Sequence, residues 1–336
     1  MQEIIGSIMD PRFETVTCVD EADTRSLTNS RVDQYYFVLE SMEDYIPTLA
    51  RIVSRAMKQD DAYKLLVFFP NTKLVTLFAE CFQSGLGISV FKLHSRMSQS
   101  ARQRGSAAFR KSTKSILFTS DVSARGKSHS VTEMLPLNLP ATSTHDTASM
   151  LLKASTILML RWLSRQVKGN LSRHKPIPAQ TLIFLMQYGS PENSDLYIHR
   201  LGRTGRAGKQ GRGVQVLLPL EATLARNLQK QGVSKDTSLK FANSEEDDQL
   251  LPRLLSARTR IQRGDKGLVK AAQGAYRSIV AHYCARKKPL KVQTVIDVAN
   301  QFSDAVGLQE PPAFEPRVSA RLGISSCRGV SISDSN

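Results

Sequence analysis

The stretch KLLVFFPNT, residues 64–72, decides the fold prediction. A continuous apolar run of this length is typical of a strand that is buried on both faces of a sheet. Asn71 and Thr72 end the stretch, and both residue types favour the start of a helix, which we expect to continue to about Gln83. The segment therefore predicts a buried strand that passes directly into a helix.

The same order of strand and helix recurs along the chain. Strand patterns occur at 32–39, 88–94, 115–119 and 213–219, and helix patterns at 45–58, 98–110 and 194–200. Such alternation predicts an α/β fold with a parallel sheet and helices on both faces. Ligands of these sheets lie outside the carboxyl ends of the strands, so we expect the binding residues in the loops that follow the strands.

Composition narrows the class of partner. The chain has 336 residues, which suggests about two domains, and its net charge of +16 favours nucleic acid before membrane as a polyanionic partner. Its four cysteines show neither pairing nor metal-ligand spacing, so we expect a reducing compartment and no metal site. For the same reason His282 and Cys284 are interpreted as packing residues. No apolar run approaches the ~20 residues of a membrane span, and no membrane partner is predicted.

Residues 199–206 read HRLGRTGR and carry three arginines at a spacing of three, Arg200, Arg203 and Arg206. A guanidinium is always charged and presents a rigid fork of donors that matches phosphate oxygens. At the end of a helix such arginines suit the role of fingers that offset charge on a transferring γ-phosphoryl group. A solvated basic loop is the alternative interpretation, because runs of charge commonly are one.

Four stretches, taken in order, identify a family. They are VFFPNTK (67–73), HSRMSQSARQRGSAAF (94–109), FTSDVSARG (118–126) and YIHRLGRTGRAG (197–208). They resemble motifs IV, IVa, V and VI of the second RecA-like domain of DEAD-box RNA helicases. The resemblance implies a RecA-like parallel sheet, RNA and ATP as ligands, and ATP-coupled local unwinding of RNA duplexes.

The same resemblance implies a role for each residue at these motifs. Arg203 and Arg206 would contact the γ-phosphate of ATP, and His199 and Gly202 would couple that site to RNA. The residues expected to contact RNA are Asn71, Thr72, His94, Arg96, Gln99, Arg102, Ser120, Asp121, Arg125 and Gly126. Contacts of this type go to the backbone and the 2′-hydroxyls, so we expect little sequence specificity.

The chain after residue 220 is helical and basic, and GAYRSIVAHYCAR (274–286) resembles part of the C-terminal extension of the mitochondrial splicing-chaperone branch of this family. An ordinary helical appendage is the alternative. The expected organisation is a linker remnant (1–31), the second RecA-like domain (32–220), a helical extension (221–310) and a tail (311–336). The run DEAD at 20–23 is interpreted as a chance match, because it lies too close to the strand pattern at 32–39.

No G-x-x-x-x-G-K-S/T sequence occurs in the chain. ATP with Mg²⁺ would therefore be held mainly by a first RecA-like domain, and we expect the chain alone to hydrolyse ATP poorly or not at all. A non-catalytic RNA-binding module and a nucleotide-independent scaffold remain alternatives. The resemblance implies a mitochondrial protein, although residues 1–14 are not expected to be a presequence, and the nucleus and the cytoplasm remain open.

Residues 127–187 interrupt the sequence that begins with motif V, and the resemblance resumes only at Tyr188. Codons for Gly126 to Ser128 can contain the splice-donor sequence GTAAGT, and a shifted frame across 154–162 can encode Ile-Asp-Tyr-Pro-Asp-Val-Thr-Leu, the segment expected there. The hypothesis is that two retained introns flank a short exon read out of frame; a helical or mobile insertion is the alternative. We expect 127–180 to be poorly ordered, and 181–187, TLIFLMQ, to take the place of the displaced strand.

Overall fold

The structure is a computed structural model, and it describes residues 32–59, 63–86, 88, 90–120, 184–191, 194–204, 211–237, 250–286 and 290–333. The predictions made for 1–31, for 127–180, and for Asp121, Arg125, Gly126 and Arg206 lie outside the described residues.

The strands form one seven-stranded sheet in the order β3-β4-β2-β5-β6-β1-β7, and every recorded pair of neighbours is parallel. The strands are β1 (Val32–Val38), β2 (Lys64–Phe68), β3 (Val90–Leu93), β4 (Ser115–Thr119), β5 (Phe184–Tyr188), β6 (Gly211–Leu217) and β7 (Ser234–Lys235). All residues of β2, β4 and β5 are buried, as expected of central strands covered on both faces. The prediction of a parallel sheet is confirmed.

Helices follow the strands. They are α1 (Tyr45–Gln59), α2 (Thr72–Leu86), α3 (Gln99–Lys111), α4 (Ser194–Leu201), a 3₁₀ helix (Pro219–Leu224), α5 (Ala225–Lys230), α6 (Leu251–Gln262), α7 (Lys266–Cys284), α8 (Val292–Val306) and α9 (Pro316–Leu322). The predicted caps are present: the Oδ1 atom of Asn71 accepts hydrogen bonds from the amides of Lys73 and Leu74. Ser98 Oγ likewise accepts from the amide of Ala101 at 3.3 Å and starts α3.

The alternation of side chains along β2 divides the core between the two faces of the sheet. Leu65 and Val67 pack into the larger cluster, which includes buried side chains of α1, α2 and the C-terminal helices α6 to α8. Leu66 and Phe68 point to the other face, where they meet side chains of α3 and α4 such as Phe109. Helices therefore cover both faces, and the extension forms a further layer over α1 and α2.

The strand β5 lies at the centre of the sheet, between β2 and β6. It begins at Phe184, inside the stretch 181–187 that was expected to replace a displaced strand. The structure confirms a strand in the described part of that stretch, and the replacement itself stays a prediction. Burial explains the placement, because Phe184 to Tyr188 are all buried and an apolar run is what a central parallel position requires.

The C-terminal helices extend the core beyond residue 310. The rings of Tyr276 in α7 and Phe314 lie 5.8 Å apart, and Phe314 and Ile324 are both buried. The side-chain amide of Asn300 connects α7 to the chain at Gly329. It accepts a hydrogen bond from Tyr276 Oη at 2.8 Å and donates one to Gly329 O at 3.0 Å. The stretch 311–333, part of the predicted tail, thus packs against α7 and α8.

Candidate nucleic-acid interface

The parallel sheet brings the carboxyl ends of β2, β3 and β4 to one edge. Asn71 follows β2, His94 follows β3, and Ser120 follows β4, as the sequence predicted. The end of β4 is tied to that of β3, because Thr119 Oγ1 donates to Leu93 O at 2.8 Å. Neighbouring strands lie about 4.8 Å apart, so three predicted RNA contacts occupy a short length of this edge.

This edge contains polar atoms that are buried but have no hydrogen-bond partner among the described residues. They are Nδ2 of Asn71, Nδ1 of His94 and Oγ of Ser120. A buried polar group without a partner costs about 1–3 kcal/mol, so such groups are rare and their clustering needs a cause. An amide, an imidazole and a hydroxyl can all donate to phosphate or sugar oxygens, which is the chemistry expected of a site for a polar ligand.

Positive charge surrounds His94. Burial, together with the nearby charges of Lys92, Arg96 and Lys73, lowers the pKa of His94 to about 4. The imidazole is therefore neutral at pH 7. Because three cations lie within electrostatic reach of one histidine, the edge has the positive potential that attracts a polyanion.

The first turn of α3 positions Arg102. Its Nη2 atom donates to Oε1 of Gln99 at 2.6 Å, while its Nε atom is buried and has no partner among the described residues. Arg96 and Gln99 are exposed at the start of this segment. Thr72 is half-buried as the first residue of α2, whose N-terminus opens at the same edge. The structure thus places Asn71, Thr72, His94, Arg96, Gln99, Arg102 and Ser120 around the ends of β2, β3 and β4.

The arginine motif lies where α4 ends. Gly202 N donates to Ile198 O at 2.8 Å, and Arg203 N donates to Arg200 O at 3.0 Å, so the helical turn closes just before Arg203. Only 5% of Arg203 is exposed, which is inconsistent with a solvated basic loop at this residue. His199 lies within α4, and nothing is described of its side chain.

Arg200 has a structural role that the sequence prediction did not assign. Its guanidinium lies 5.0 Å from the centre of the Phe68 ring, and its Nη1 atom donates to Gln187 Oε1 at 3.2 Å. Arg200 therefore links α4 to the ends of β2 and β5. The helix pattern at 194–200 was the available signal, because it places Arg200 on the helix rather than in the loop that follows.

Glu221, in the 3₁₀ helix after β6, is absent from the residues predicted from sequence. Its carboxylate is 1% exposed, and its Oε1 atom accepts from Ser190 N at 2.9 Å, Ser190 Oγ at 2.7 Å and Tyr283 Oη at 2.9 Å. Arg286 Nη2 lies 3.3 Å from the same oxygen. This group of Ser190, Glu221, Tyr283 and Arg286, called here the Glu221 cluster, joins β5, β6 and α7.

Two further absences apply to the part of the chain that the structure describes. It contains no group of three or more histidine, cysteine or acidic side chains arranged to hold a metal ion. Nor does it contain a helix with the length and apolar character needed to cross a bilayer.

Comparison with known proteins shows what the chain is similar to. Residues 45–143 match the family described as Helicase conserved C-terminal domain. The chain is 27% identical over 324 residues to DEAD-box ATP-dependent RNA helicase 25 of Arabidopsis thaliana, covering 95% of this chain and 45% of that protein. It is 24% identical over 345 residues to the mitochondrial ATP-dependent RNA helicase mss116 of Aspergillus oryzae, covering 100% of this chain and 44% of that protein.

A solved structure covers almost the same extent as this chain. Domain 2 of the DEAD-box helicase Mss116p, bound to an RNA duplex, superposes with a TM-score of 0.59 at 19% identity, covering 90% of this chain and 100% of that one. The chain is thus similar to the C-terminal half of DEAD-box RNA helicases. The likeness confirms the predicted RecA-like fold class.

The chain spans about half, or less, of the length of the curated relatives it matches. A second structure, Mss116 bound to ssRNA and UDP-BeF, superposes with a TM-score of 0.58 at 18% identity, covering 89% of this chain and 49% of that one. The family match at 45–143 includes α1, α2 and α3, which carry or border the edge described above.

Proposed function

We propose that the chain is the RNA-binding and arginine-finger half of an ATP-dependent RNA helicase that separates short duplexes locally. The observation that carries the proposal is the strand edge at Asn71, His94 and Ser120, where buried polar atoms without partners among the described residues lie beside positive charge. Its polyanionic ligand is RNA, for which Mss116 structures with RNA duplex and with ssRNA provide support by likeness.

RNA binding at this edge requires contacts only to the phosphates and sugars of the RNA, and none to its bases. Asn71 Nδ2 and Ser120 Oγ offer donors to phosphate or sugar, and Arg102 offers a guanidinium already oriented by Gln99. None of these groups sets up the paired donor and acceptor pattern that reads a base edge, so the site is expected to accept many sequences. Asp121, Arg125 and Gly126 are proposed to continue the same contacts.

ATP is the second proposed ligand, with Mg²⁺, and a first RecA-like domain is proposed as the partner that holds most of the nucleotide. When bound, ATP supplies the γ-phosphoryl group whose transfer to water releases energy for the change of RNA conformation. Arg203 and Arg206 are proposed to approach that group across the cleft between the domains and to stabilise its negative charge. His199 and Gly202 are proposed to connect this contact to bound RNA.

Relatives from Aspergillus oryzae and Phaeosphaeria nodorum carry mitochondrial names. On this basis we propose the mitochondrion as the compartment. Import of a fluorescent fusion of the natural full-length product, followed by microscopy, tests the assignment, with a nuclear or cytoplasmic signal counting against it.

Fluorescence anisotropy with a labelled single-stranded RNA tests the RNA site on the chain alone. Arg102→Ala is expected to weaken binding about tenfold, because a charged contact contributes roughly 1.5 kcal/mol. Arg104→Ala removes the same charge from an exposed position on another side of α3 and is the matched control. Equal losses for the two variants would show that only net charge matters and would count against the edge.

ATP hydrolysis tests the enzymatic half of the proposal. The chain mixed with a separately produced first RecA-like domain is expected to show RNA-stimulated hydrolysis that Arg203→Ala and Arg206→Ala abolish while RNA binding persists. RNA binding that is insensitive to ATP and to that domain would instead favour a non-catalytic RNA-binding module. Absence of RNA binding would favour a scaffold.

A further inference from the structure

We propose that Tyr283 of α7 and Arg286, two residues after the end of that helix, are positioning residues for helix α4, acting through buried Glu221 and Ser190. The C-terminal extension would then set the position of the arginine motif, in addition to covering the core. The consequence for turnover rests on the proposed function, in which Arg203 contacts the γ-phosphate, whereas the mechanical link between α7 and α4 does not.

The first step is the Glu221 cluster itself. Glu221 Oε1 accepts three hydrogen bonds, two from Ser190 and one from Tyr283, and Oε2 accepts a fourth from Leu218 N at 3.0 Å. Arg286 supplies a positive charge at 3.3 Å from Oε1. A carboxylate that is 1% exposed needs such partners, so the segments that provide them are held together by it.

The second step concerns Ser190, which lies between the end of β5 and the start of α4. Its amide and hydroxyl donate to Glu221, and its carbonyl accepts from Arg286 Nη2 at 2.8 Å. Three atoms of one residue are therefore fixed by two charged side chains. Ser190 precedes Ser194, the first residue of α4, by four positions, so fixing Ser190 restricts where the chain can enter that helix.

The third step is the close packing of α7 on the same loop. Gly189 has φ +86°, and a Cβ atom placed there would lie 2.6 Å from Pro70 Cγ and 3.3 Å from Tyr283 Oη. The loop thus passes between the end of β2 and the side of α7 with no spare space. A shift of α7 at Tyr283 would be transmitted to the loop by direct contact.

The fourth step connects α7 to Arg200. His282 Nε2 lies 3.3 Å from Arg286 Nη2, and the ring of His282 packs edge-on against Tyr283. Burial lowers the pKa of His282 to about 4, and the charges of Arg286 and Arg200 act in the same direction. Arg200 is therefore within electrostatic reach of His282 in α7, and the neutral imidazole adds no further charge beside Arg286.

The final step leads from Arg200 to the arginine motif. Arg203 N donates to Arg200 O at 3.0 Å, so the two residues belong to one closed turn. Displacement of α4 would move that turn as a unit. In this arrangement Tyr283 and Arg286 act on Arg203 from another part of the chain and without touching nucleotide.

Hydrogen exchange followed by mass spectrometry on the full chain tests the link without requiring ATP hydrolysis. Tyr283→Phe removes one hydroxyl and keeps the ring, and Arg286→Met removes the charge and keeps most of the side-chain length. In both variants, peptides spanning 189–204 are expected to exchange about tenfold faster, whereas peptides spanning α3 keep their rates. Arg277→Met, at an exposed position of the same helix that donates to Ala313 O, is the control and should change neither region.

Unchanged exchange at 189–204 in both variants would overturn the proposal. Faster exchange of all peptides, including α3, would also overturn it, because the residues would then act on global stability alone. A second readout separates this inference from the proposed function: with the first domain and RNA present, kcat should fall in Tyr283→Phe while the Kd for RNA stays constant. Faster exchange at 189–204 with normal kcat would support the link and contradict the assigned role of Arg203.

Discussion

Gln99 and Arg102 form a hydrogen-bonded pair within the first turn of α3, with 2.6 Å between Oε1 of Gln99 and Nη2 of Arg102. The bond restricts the guanidinium before any ligand arrives, which lowers the entropy lost on binding. Gln99→Ala is therefore expected to weaken RNA binding about fivefold, equivalent to roughly 1 kcal/mol for one hydrogen bond. Gln103→Ala, exposed on the same helix, provides the comparison. Fluorescence anisotropy measures the RNA affinity of both variants. Equal affinities for Gln99→Ala and Gln103→Ala would contradict a role of the Gln99–Arg102 hydrogen bond in RNA binding.

Replacement of Glu221 is expected to reduce the stability of the fold far more than replacement of an exposed carboxylate. Glu221→Gln replaces an acceptor of four hydrogen bonds with an amide and leaves Arg286 without its counter-charge, which should reduce the free energy of unfolding by about 3–5 kcal/mol. Urea denaturation followed by circular dichroism measures the loss. Glu310→Gln, at an exposed position, should stay within about 0.5 kcal/mol of the parent chain. A similar midpoint for both variants would refute the prediction.

Gly189 is expected to tolerate no side chain. Gly189→Ala would meet both the steric contact with Pro70 and the cost of a positive φ, while Gly232→Ala, at φ +80°, would meet the second cost alone because nothing lies within 4 Å of its Cβ position. The difference between the two variants isolates the contact, and we expect Gly189→Ala to be the less stable by about 2 kcal/mol. Equal unfolding midpoints would show that the loop can move away from Pro70.

Stability is expected to decrease as the pH falls below neutrality. The pKa values of His94 and His282 are lowered to about 4 in the folded chain, against an ordinary value of 6.5, so the unfolded chain binds protons first. The contribution of each histidine is therefore complete above pH 6.5 and is lost as the pH falls towards 4, with a slope of up to about 1.4 kcal/mol per pH unit for each.

Unfolding measured between pH 7.5 and 5 tests this dependence. The double variant His94→Gln, His282→Gln should show a flatter profile than the parent chain. Asp265 does not account for the slope in this range, because hydrogen bonds from Leu268 and Arg260 hold its pKa below the ordinary value of 3.8. Identical slopes for the parent and the double variant would contradict the assignment to the histidines.

The retained-intron hypothesis makes a prediction about DNA. Codons 126–128 should contain GTAAGT, and the codon of Gln187 should be CAG, with the intervening shifted frame encoding the segment from Ile-Asp-Tyr-Pro onwards. Sequencing of the genomic locus and of its transcripts decides the matter. Codons that lack these bases would leave an inserted segment as the explanation.

Much of the fold could be predicted because the determining signals are local. The apolar run at 64–70 marks a strand buried on both faces, and Asn71 and Ser98 mark helix starts through hydrogen bonds made within three residues. The position of Asn71, His94 and Ser120 followed from topology, since the carboxyl ends of parallel strands meet at one edge.

The Glu221 cluster could not be predicted by the same means. In the sequence, 64 residues lie between Glu221 and Arg286. Glu221 itself lies in the run PLEATL, which resembles an exposed turn. Burial of that carboxylate depends on α7 packing over the end of β5, a contact without a local sequence pattern. The burial of Arg203 is a similar case, because spacing indicates an arginine motif but not how much of it is covered.

The central position of β5 imposes a rule on how this gene can be processed. The strand is the bridge between β3-β4-β2 on one side and β6-β1-β7 on the other, so a product without a strand there would have its sheet divided into two pieces of three strands. Any viable transcript must therefore encode five consecutive residues compatible with burial immediately before Gly189. The run FLMQY at 184–188 meets that demand, and the sheet is therefore continuous from β3 to β7.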